Sequence, residues 1–168
     1  MKGISKRKMA DIPQGGLSPL EHAITEQAKT TMEMVADAIH HGQTMLAFQP
    51  VMRSDFQQQI GFYEGLIRVL DPTGRVIPAA EFMDKIEDSE TGREIDVLAL
   101  RHGLYNLKQN PSLRLSINMS ARSIGYRPWM TCLNRFLKET PMLGERLILE
   151  ITEASAMTVP ELVIDFMH

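Results

Sequence analysis

Three oxygen-bearing side chains each close a short apolar run: Glu64 in IGFYEGLIRVL, Asn118 in LRLSIN and Glu150 in RLILEITE. Carboxylate and carboxamide oxygens at strand ends suit a hard divalent cation such as Mg²⁺ or Mn²⁺. A lone glutamate in a strand suits an edge or a surface equally well, and Arg68 beside Glu64 suits a structural ion pair. Three such residues closing successive runs favour a shared site. A strand turns alternate side chains to opposite faces, so Glu64, Leu66 and Arg68 share one face while Tyr63, Gly65, Ile67 and Val69 share the other. The same division sets Arg114, Ser116 and Asn118 against Leu113, Leu115 and Ile117, and Arg146, Ile148 and Glu150 against Leu147, Leu149 and Ile151. Each run therefore has an apolar face that must pack on helices and a second face on which polar groups survive. In a parallel barrel the polar groups at strand C-termini face the mouth, where three from consecutive strands converge.

The elements that must position these residues are marked along the chain. Ser18, Pro19 and Glu21 spell a capping box, and Leu20, Ile24, Ala28, Met32, Val35 and Ile39 then recur at helical steps as one apolar stripe. Gly42 ends that helix, with His40 and His41 in its last turn; adjacent helical residues diverge, so capping fits this pair better than metal ligation. MLAFQPVM (residues 45–52) and the run 60–70 read as strands of a hairpin around RSDFQQQ. DPTG (71–74) is a turn, and Pro78 opens a short helix through Phe82, Met83 and Ile86. A helix from Thr91 buries Ile95, Leu98, Ala99, His102 and Leu107. Then follow the strand LRLSIN, a helix over 129–137, the strand RLILEI and a helix from Pro160. This alternation predicts a mostly parallel sheet with helices outside it, an α/β layer or barrel.

Composition narrows the class further. The 168 residues are 43% hydrophobic and 23% charged with a net charge of −3, enough for a core but without the basic field that a nucleic acid polymer needs. A single cysteine, Cys132, makes no internal disulfide, favours a reducing compartment and reads as a small helical core residue. No segment reaches the roughly 20 apolar residues of a membrane span. Lys2, Lys6, Arg7 and Lys8 lack the apolar stretch of a signal peptide, so residues 1–17 read as a flexible leader and a cytoplasmic location is expected.

Five motifs in order, FQPV (48–51), EGLIR (64–68), IPAAEF (77–82), INMSARS (117–123) and LEITEASA (149–156), resemble the first half of the EAL domain family of cyclic di-GMP phosphodiesterases. The resemblance begins near Gln43 and implies a flexible leader (1–17), an N-terminal helix (18–42) and a truncated EAL domain (43–168). It implies a partial, modified TIM (β/α)8 barrel whose first strand is antiparallel. On this resemblance Glu64, Asn118 and Glu150 match the ligands of Mg²⁺ or Mn²⁺, and Arg68 matches a contact to substrate phosphate. Gln49 and Leu66 match further substrate-contacting positions, and Glu153 matches a glutamate that holds a neighbouring loop.

Departures from the family pattern shape the expectation. Gly65 replaces the alanine of the eponymous triplet, on the face turned away from Glu64. The family continues with an Asp-Asp-Phe-Gly strand, a lysine, a glutamate and a glutamine that complete the site, and none has a counterpart before His168. An unclosed barrel leaves a strand edge and an apolar face, so the expectation is self-association, a partner supplying the missing strands, or a fragment of a longer reading frame. Two functions are in play: a cyclic di-GMP phosphodiesterase inactive in this form alone, and a non-catalytic module that binds cyclic di-GMP or a protein partner in bacterial signalling.

Overall fold

The capping box forms as its residues dictate. The computed structural model describes residues 18–54 and 59–167, so the leader expected over 1–17 lies outside the described residues. In helix α1 (Pro19–His40), Ser18 Oγ accepts the Glu21 N–H at 3.2 Å while Glu21 Oε2 accepts the Ser18 N–H at 2.7 Å. At the far end the His41 ring sits 2.9 Å from the Asp37 carbonyl, and Gly42 turns the chain at φ 66°. The histidine pair thus belongs to the helix terminus.

The stripe of α1 is buried over only part of its length. Val35, Ala38 and Ile39 are covered, whereas Leu20 is 70% and Ile24 58% exposed, and Ile24, Gln27 and Ala28 border a groove whose other side is formed by Ala80, Phe82 and Lys85.

Strand β1 (Thr44–Met52) pairs antiparallel with β2 (Ile60–Leu70), from Thr44 opposite Val69 to Val51 opposite Phe62. The two-residue β3 (Val76–Ile77) pairs antiparallel with the last residues of β2. A 3-10 turn (Ala79–Glu81) and α2 (Met83–Ile86) lead to α3 (Glu90–Gln109), whose N-cap Ser89 accepts the Gly92 N–H at 3.2 Å. The short helix expected after Pro78 is therefore broken at Phe82, whose side chain is buried. Next come β4 (Leu115–Asn118), α4 (Arg127–Glu139), β5 (Leu147–Glu150), α5 (Glu153–Thr158) and α6 (Pro160–Met167). The strand order is β1-β2-β4-β5: β2, β4 and β5 are parallel, and β1 and β3 are the antiparallel additions. Helix α5 escapes the periodicity argument because its six residues are too few to show a stripe; its signal is Thr152, whose Oγ1 accepts the Ser155 N–H at 3.2 Å.

Helix α3 organises the interior. Its Ile95 and Leu98 join Val35, Ile39, Val69, Ile77, Phe82 and Ile86 in one core. Its Leu100, Leu104 and Leu107 meet Leu115, Ile117, Trp129, Leu133 and Leu143 in another. Each fully buried Leu or Ile contributes roughly 1.5–3 kcal/mol, more than an exposed cap or ion pair, so α3 packing fixes where β2 and β4 stand. His102 is half-buried rather than part of the stripe; its Nε2 lies 3.0 Å from Thr44 Oγ1, and burial holds the imidazole pKa below its usual range. Cys132 is half-buried, and burial pushes its thiol up, away from a reactive thiolate.

A guanidinium ties the second half of the sheet to α3. Arg146 Nη1 donates to the carbonyls of Asn110 (2.9 Å) and Leu113 (3.0 Å), and Nη2 to that of Leu107 (3.0 Å). The cation satisfies carbonyls at the helix C-terminus, where the dipole is negative, immediately before β5 begins.

Candidate functional site

Strand register sorts the candidate residues into rows. Gln49 stands opposite Glu64 on the β1/β2 ladder, and Glu64 stands beside Ser116 on the β2/β4 ladder. One pleat nearer the strand C-termini, Asn118 stands beside Glu150, while Leu66 and Arg68 are paired with Ala47 and Met45. Since alternate residues share a face, Gln49, Glu64, Leu66, Arg68, Asn118 and Glu150 all project from the side of the sheet opposite α3. The face assignment read from periodicity holds.

Within that set Asn118 Nδ2 donates to Glu64 Oε1 at 2.6 Å, joining residues 54 apart in sequence. The Met119 N–H donates to the Glu150 carbonyl at 2.9 Å, which continues the ladder and keeps the ends of β4 and β5 level. The Arg68–Glu64 ion pair weighed from sequence does not form among the described residues. Four residues along an extended strand separate two Cα atoms by about 13 Å. Arg68 is half-buried, and its Nη1 donates to the Ile67 carbonyl at 3.2 Å.

A cavity of about 290 Å³ opens beside these residues, lined by Leu66, Arg68, Met83, Ile95, Asp96 and Asn118. Its origin is topological. One edge of β2 pairs with β4 through Gly65 and with β3 from Val69, so residues 66–68 have no strand on that edge among the described residues. The sheet splits there, and α2 and α3 wall the gap. Gln49, Glu64 and Glu150 stand next to the cavity rather than in its lining.

The donor set suits a hard cation in type. Two carboxylates and a carboxamide would offer such an ion three oxygen atoms. Among the described residues no three His, Cys, Asp or Glu side chains come together, so the set depends on Asn118. The amide nitrogen of Asn118 faces Glu64, so holding a cation through Oδ1 would require the carboxamide to turn over. Ser116 Oγ, beside Glu64 in register, is buried without a hydrogen-bond partner, a polar atom that a bound water in this row would satisfy. Glu153 is exposed in the first turn of α5, three residues past Glu150.

Sequence reasoning passed over Asp96. It lies on α3, 8% exposed, and its Oδ2 accepts the Ser120 N–H (2.8 Å) and the Ser123 hydroxyl (2.6 Å). Burial pushes its pKa up to about 6 against the lowering effect of those two bonds, and Glu87 pushes the same way. The available signal was a carboxylate set between the buried positions Ile95, Leu98 and Ala99.

Comparison with known proteins agrees with this fold. Residues 32–168 match the EAL domain, so the match starts inside α1. The cyclic di-GMP phosphodiesterase PdeB of Shewanella oneidensis is 26% identical over 127 residues, 73% of this chain and 15% of PdeB. The signaling protein YkoW of Bacillus subtilis is 29% identical over 139 residues, 79% of this chain and 17% of YkoW. Among solved structures, the FimX EAL domain from Pseudomonas aeruginosa bound to c-di-GMP aligns at a TM-score of 0.66 and 25% identity, over 81% of this chain and 55% of that one. An EAL domain protein from Listeria monocytogenes aligns at 0.58 and 26%, over 80% and 56%. The chain thus spans about half the length of the EAL structures it matches and less than a fifth of the curated relatives. With the antiparallel first strand, the parallel strands that follow and the ordered motifs all in place, this chain belongs to the EAL domain family, as a partial barrel of that type.

Proposed function

We propose that these residues form the N-terminal half of a site for cyclic di-GMP and a divalent cation, Mg²⁺ or Mn²⁺. The observation that carries the reading is the 2.6 Å contact between Asn118 and Glu64, with Glu150 next to Asn118 in register. In this reading Glu64, Asn118 and Glu150 hold the cation, and Arg68 contacts a substrate phosphate, for which a guanidinium fork is suited. Gln49 and Leu66 make further contacts to the substrate, and Glu153 holds a neighbouring loop. When bound, the cation supplies an activated water and screens phosphate charge. Names and ligands of relatives support the choice: PdeB is a cyclic di-GMP phosphodiesterase, and the FimX domain holds c-di-GMP.

Three oxygen ligands leave a cation incompletely held, so the 168 residues alone bind without turning over, and hydrolysis requires further ligands. Among the described residues no strand covers the outer edge of β5, and in this reading a second copy or a partner adds strands there. In this reading residues 1–17 are a flexible leader, 18–42 an N-terminal helix and 43–168 a truncated EAL domain, in the cytoplasm; among the described residues no helix is long and apolar enough to cross a membrane. One observation favours a second reading, a protein-interaction module: Leu20 and Ile24 stand exposed on α1, outside the matched residues.

Calorimetric titration of cyclic di-GMP with Mn²⁺ tests the first reading. Heat that Glu64→Ala and Arg68→Ala each abolish supports it. A folded protein that gives no heat turns attention to the α1 surface.

A further inference from the structure

We propose that Asp96 and Ser155 are positioning residues that set where Asn118 and Glu150 stand relative to each other. Both side chains are 8% exposed, and both spend their oxygen on backbone just past the strands that carry the site. Asp96 Oδ2 takes the Ser120 N–H and the Ser123 hydroxyl, which pins the chain two residues beyond Asn118 to helix α3. Ser155 Oγ takes the Ala121 N–H at 2.8 Å and lies 3.3 Å from Ser120 Oγ. The Ser155 N–H in turn donates to Thr152 Oγ1 at 3.2 Å, two residues beyond Glu150. A continuous path of hydrogen bonds therefore runs from α3 through the turn after β4 to the turn after β5.

Energetics argue for a role beyond holding the fold. Burying a carboxylate this far costs stability even with two hydrogen bonds to it, and the neighbouring positions Ile95 and Ala99 show what α3 uses where only packing is needed. The bonds of Asp96 end on the Ser120 backbone and the Ser123 hydroxyl, in the turn that follows Asn118, and those of Ser155 join that turn to the segment that follows Glu150. Asp96 borders the same cavity as Leu66, Arg68 and Asn118 while both of its hydrogen bonds run to the turn after β4, and Ser155 lies outside that lining; each acts through the residues it anchors. The inference rests on Glu64, Asn118 and Glu150 being the cation site.

The test uses the whole chain with Asp96→Leu, Asp96→Asn and Ser155→Ala. Its first readout needs no ligand: the side-chain amide resonance of Asn118, assigned by its loss in Asn118→Asp. Asp96→Leu and Ser155→Ala are expected to move that resonance. Asp96→Asn keeps a carbonyl oxygen able to accept both bonds and is expected to leave it near its original place. The second readout is Mn²⁺ uptake, measured by the paramagnetic resonance of free Mn²⁺. Losing an orienting partner weakens metal affinity about tenfold or more, so Asp96→Leu and Ser155→Ala fall by that factor while Asp96→Asn recovers it. An Asn118 resonance unmoved by Asp96→Leu and Ser155→Ala in folded protein overturns the inference. If Asp96→Leu does not fold, Ser155→Ala decides alone. Absence of Mn²⁺ uptake by the unmodified chain overturns the site reading, while the amide resonance still decides whether the anchoring holds.

Discussion

The Cδ1 methyl of Ile117 occupies the space in which a Cβ on Gly65 would sit, 2.7 Å from that position. The same methyl lies 2.8 Å from where a Cβ on Gly103 of α3 would be. Ile117 is thus packed between two glycines, one from β2 and one from α3, and must turn its side chain to make room for a methyl on either.

Gly65→Ala, which restores the family's triplet, is therefore expected to destabilise this chain by about 1–3 kcal/mol through overpacking. Ile117→Val alone costs about 0.5–1.5 kcal/mol. The double variant Gly65→Ala/Ile117→Val should lose less than the sum of the two, because the shorter side chain frees the space the new methyl needs. Urea midpoints of the four proteins check this, and strict additivity would show that the contact is not the cause.

Glu64→Gln separates charge from geometry. The glutamine keeps an oxygen to accept the Asn118 amide, so stability should change by no more than about 0.5 kcal/mol. Mn²⁺ affinity should fall by about tenfold or more, on the order of 1.4 kcal/mol, because a hard cation loses an ionised ligand. A melt and a Mn²⁺ titration on the same sample check the pair, and equal Mn²⁺ affinities would remove Glu64 from the ligand set.

Asp96 gives a pH dependence of unusual sign. Its carboxyl ionises at the ordinary 3.8 when unfolded and at about 6 when folded, chiefly because burial disfavours the charge. Between those values the folded state holds the proton that the unfolded state has released, so the stability due to this group falls as pH rises and the full cost is present above about pH 6. Asp96→Asn does not titrate. Relative to the unmodified chain it should gain on the order of 3 kcal/mol between about pH 4 and pH 7, at about 1.4 kcal/mol per pKa unit. Denaturant midpoints of both proteins across that range provide the comparison, and a constant difference would contradict it.

Arg146→Met tests the link between α3 and β5. Three carbonyls lose a charged donor, and about 2 kcal/mol of stability should go with them. Arg146→Lys should recover part of this, since an ammonium cannot span the same fork. A loss confined to hydrogen-exchange protection in β5 would show that the link is local rather than global.

Much of the fold was legible because its apolar runs are long and regular. The strands of the hairpin and the stripe of α3 are set by burial, which periodicity reports directly. The first half of α1 shows the limit: Leu20 and Ile24 continue the stripe of Val35 and Ile39, yet stand in the open, since a pattern records which face is apolar and not what covers it. The site divides in the same way. Glu64, Asn118 and Glu150 announced themselves as polar residues ending apolar runs, and the sheet sets Asn118 in contact with Glu64 and beside Glu150 in register. Asp96 and Ser155 gave no such notice, because their meaning lies in bonds to backbone more than 20 residues away.

Strands β2, β4 and β5 lie side by side in the order in which they are synthesised. A nascent chain can therefore add each one to an edge that already exists, with no strand waiting for a later one to be inserted beside it. The register of β5 is inherited wholly from β4, and that of β4 from three residues of β2. A slip of one residue at that junction would turn Asn118 toward α3 and carry Glu150 out of step with Glu64. The fidelity of this site thus rests on three pairings, at Tyr63, Glu64 and Gly65.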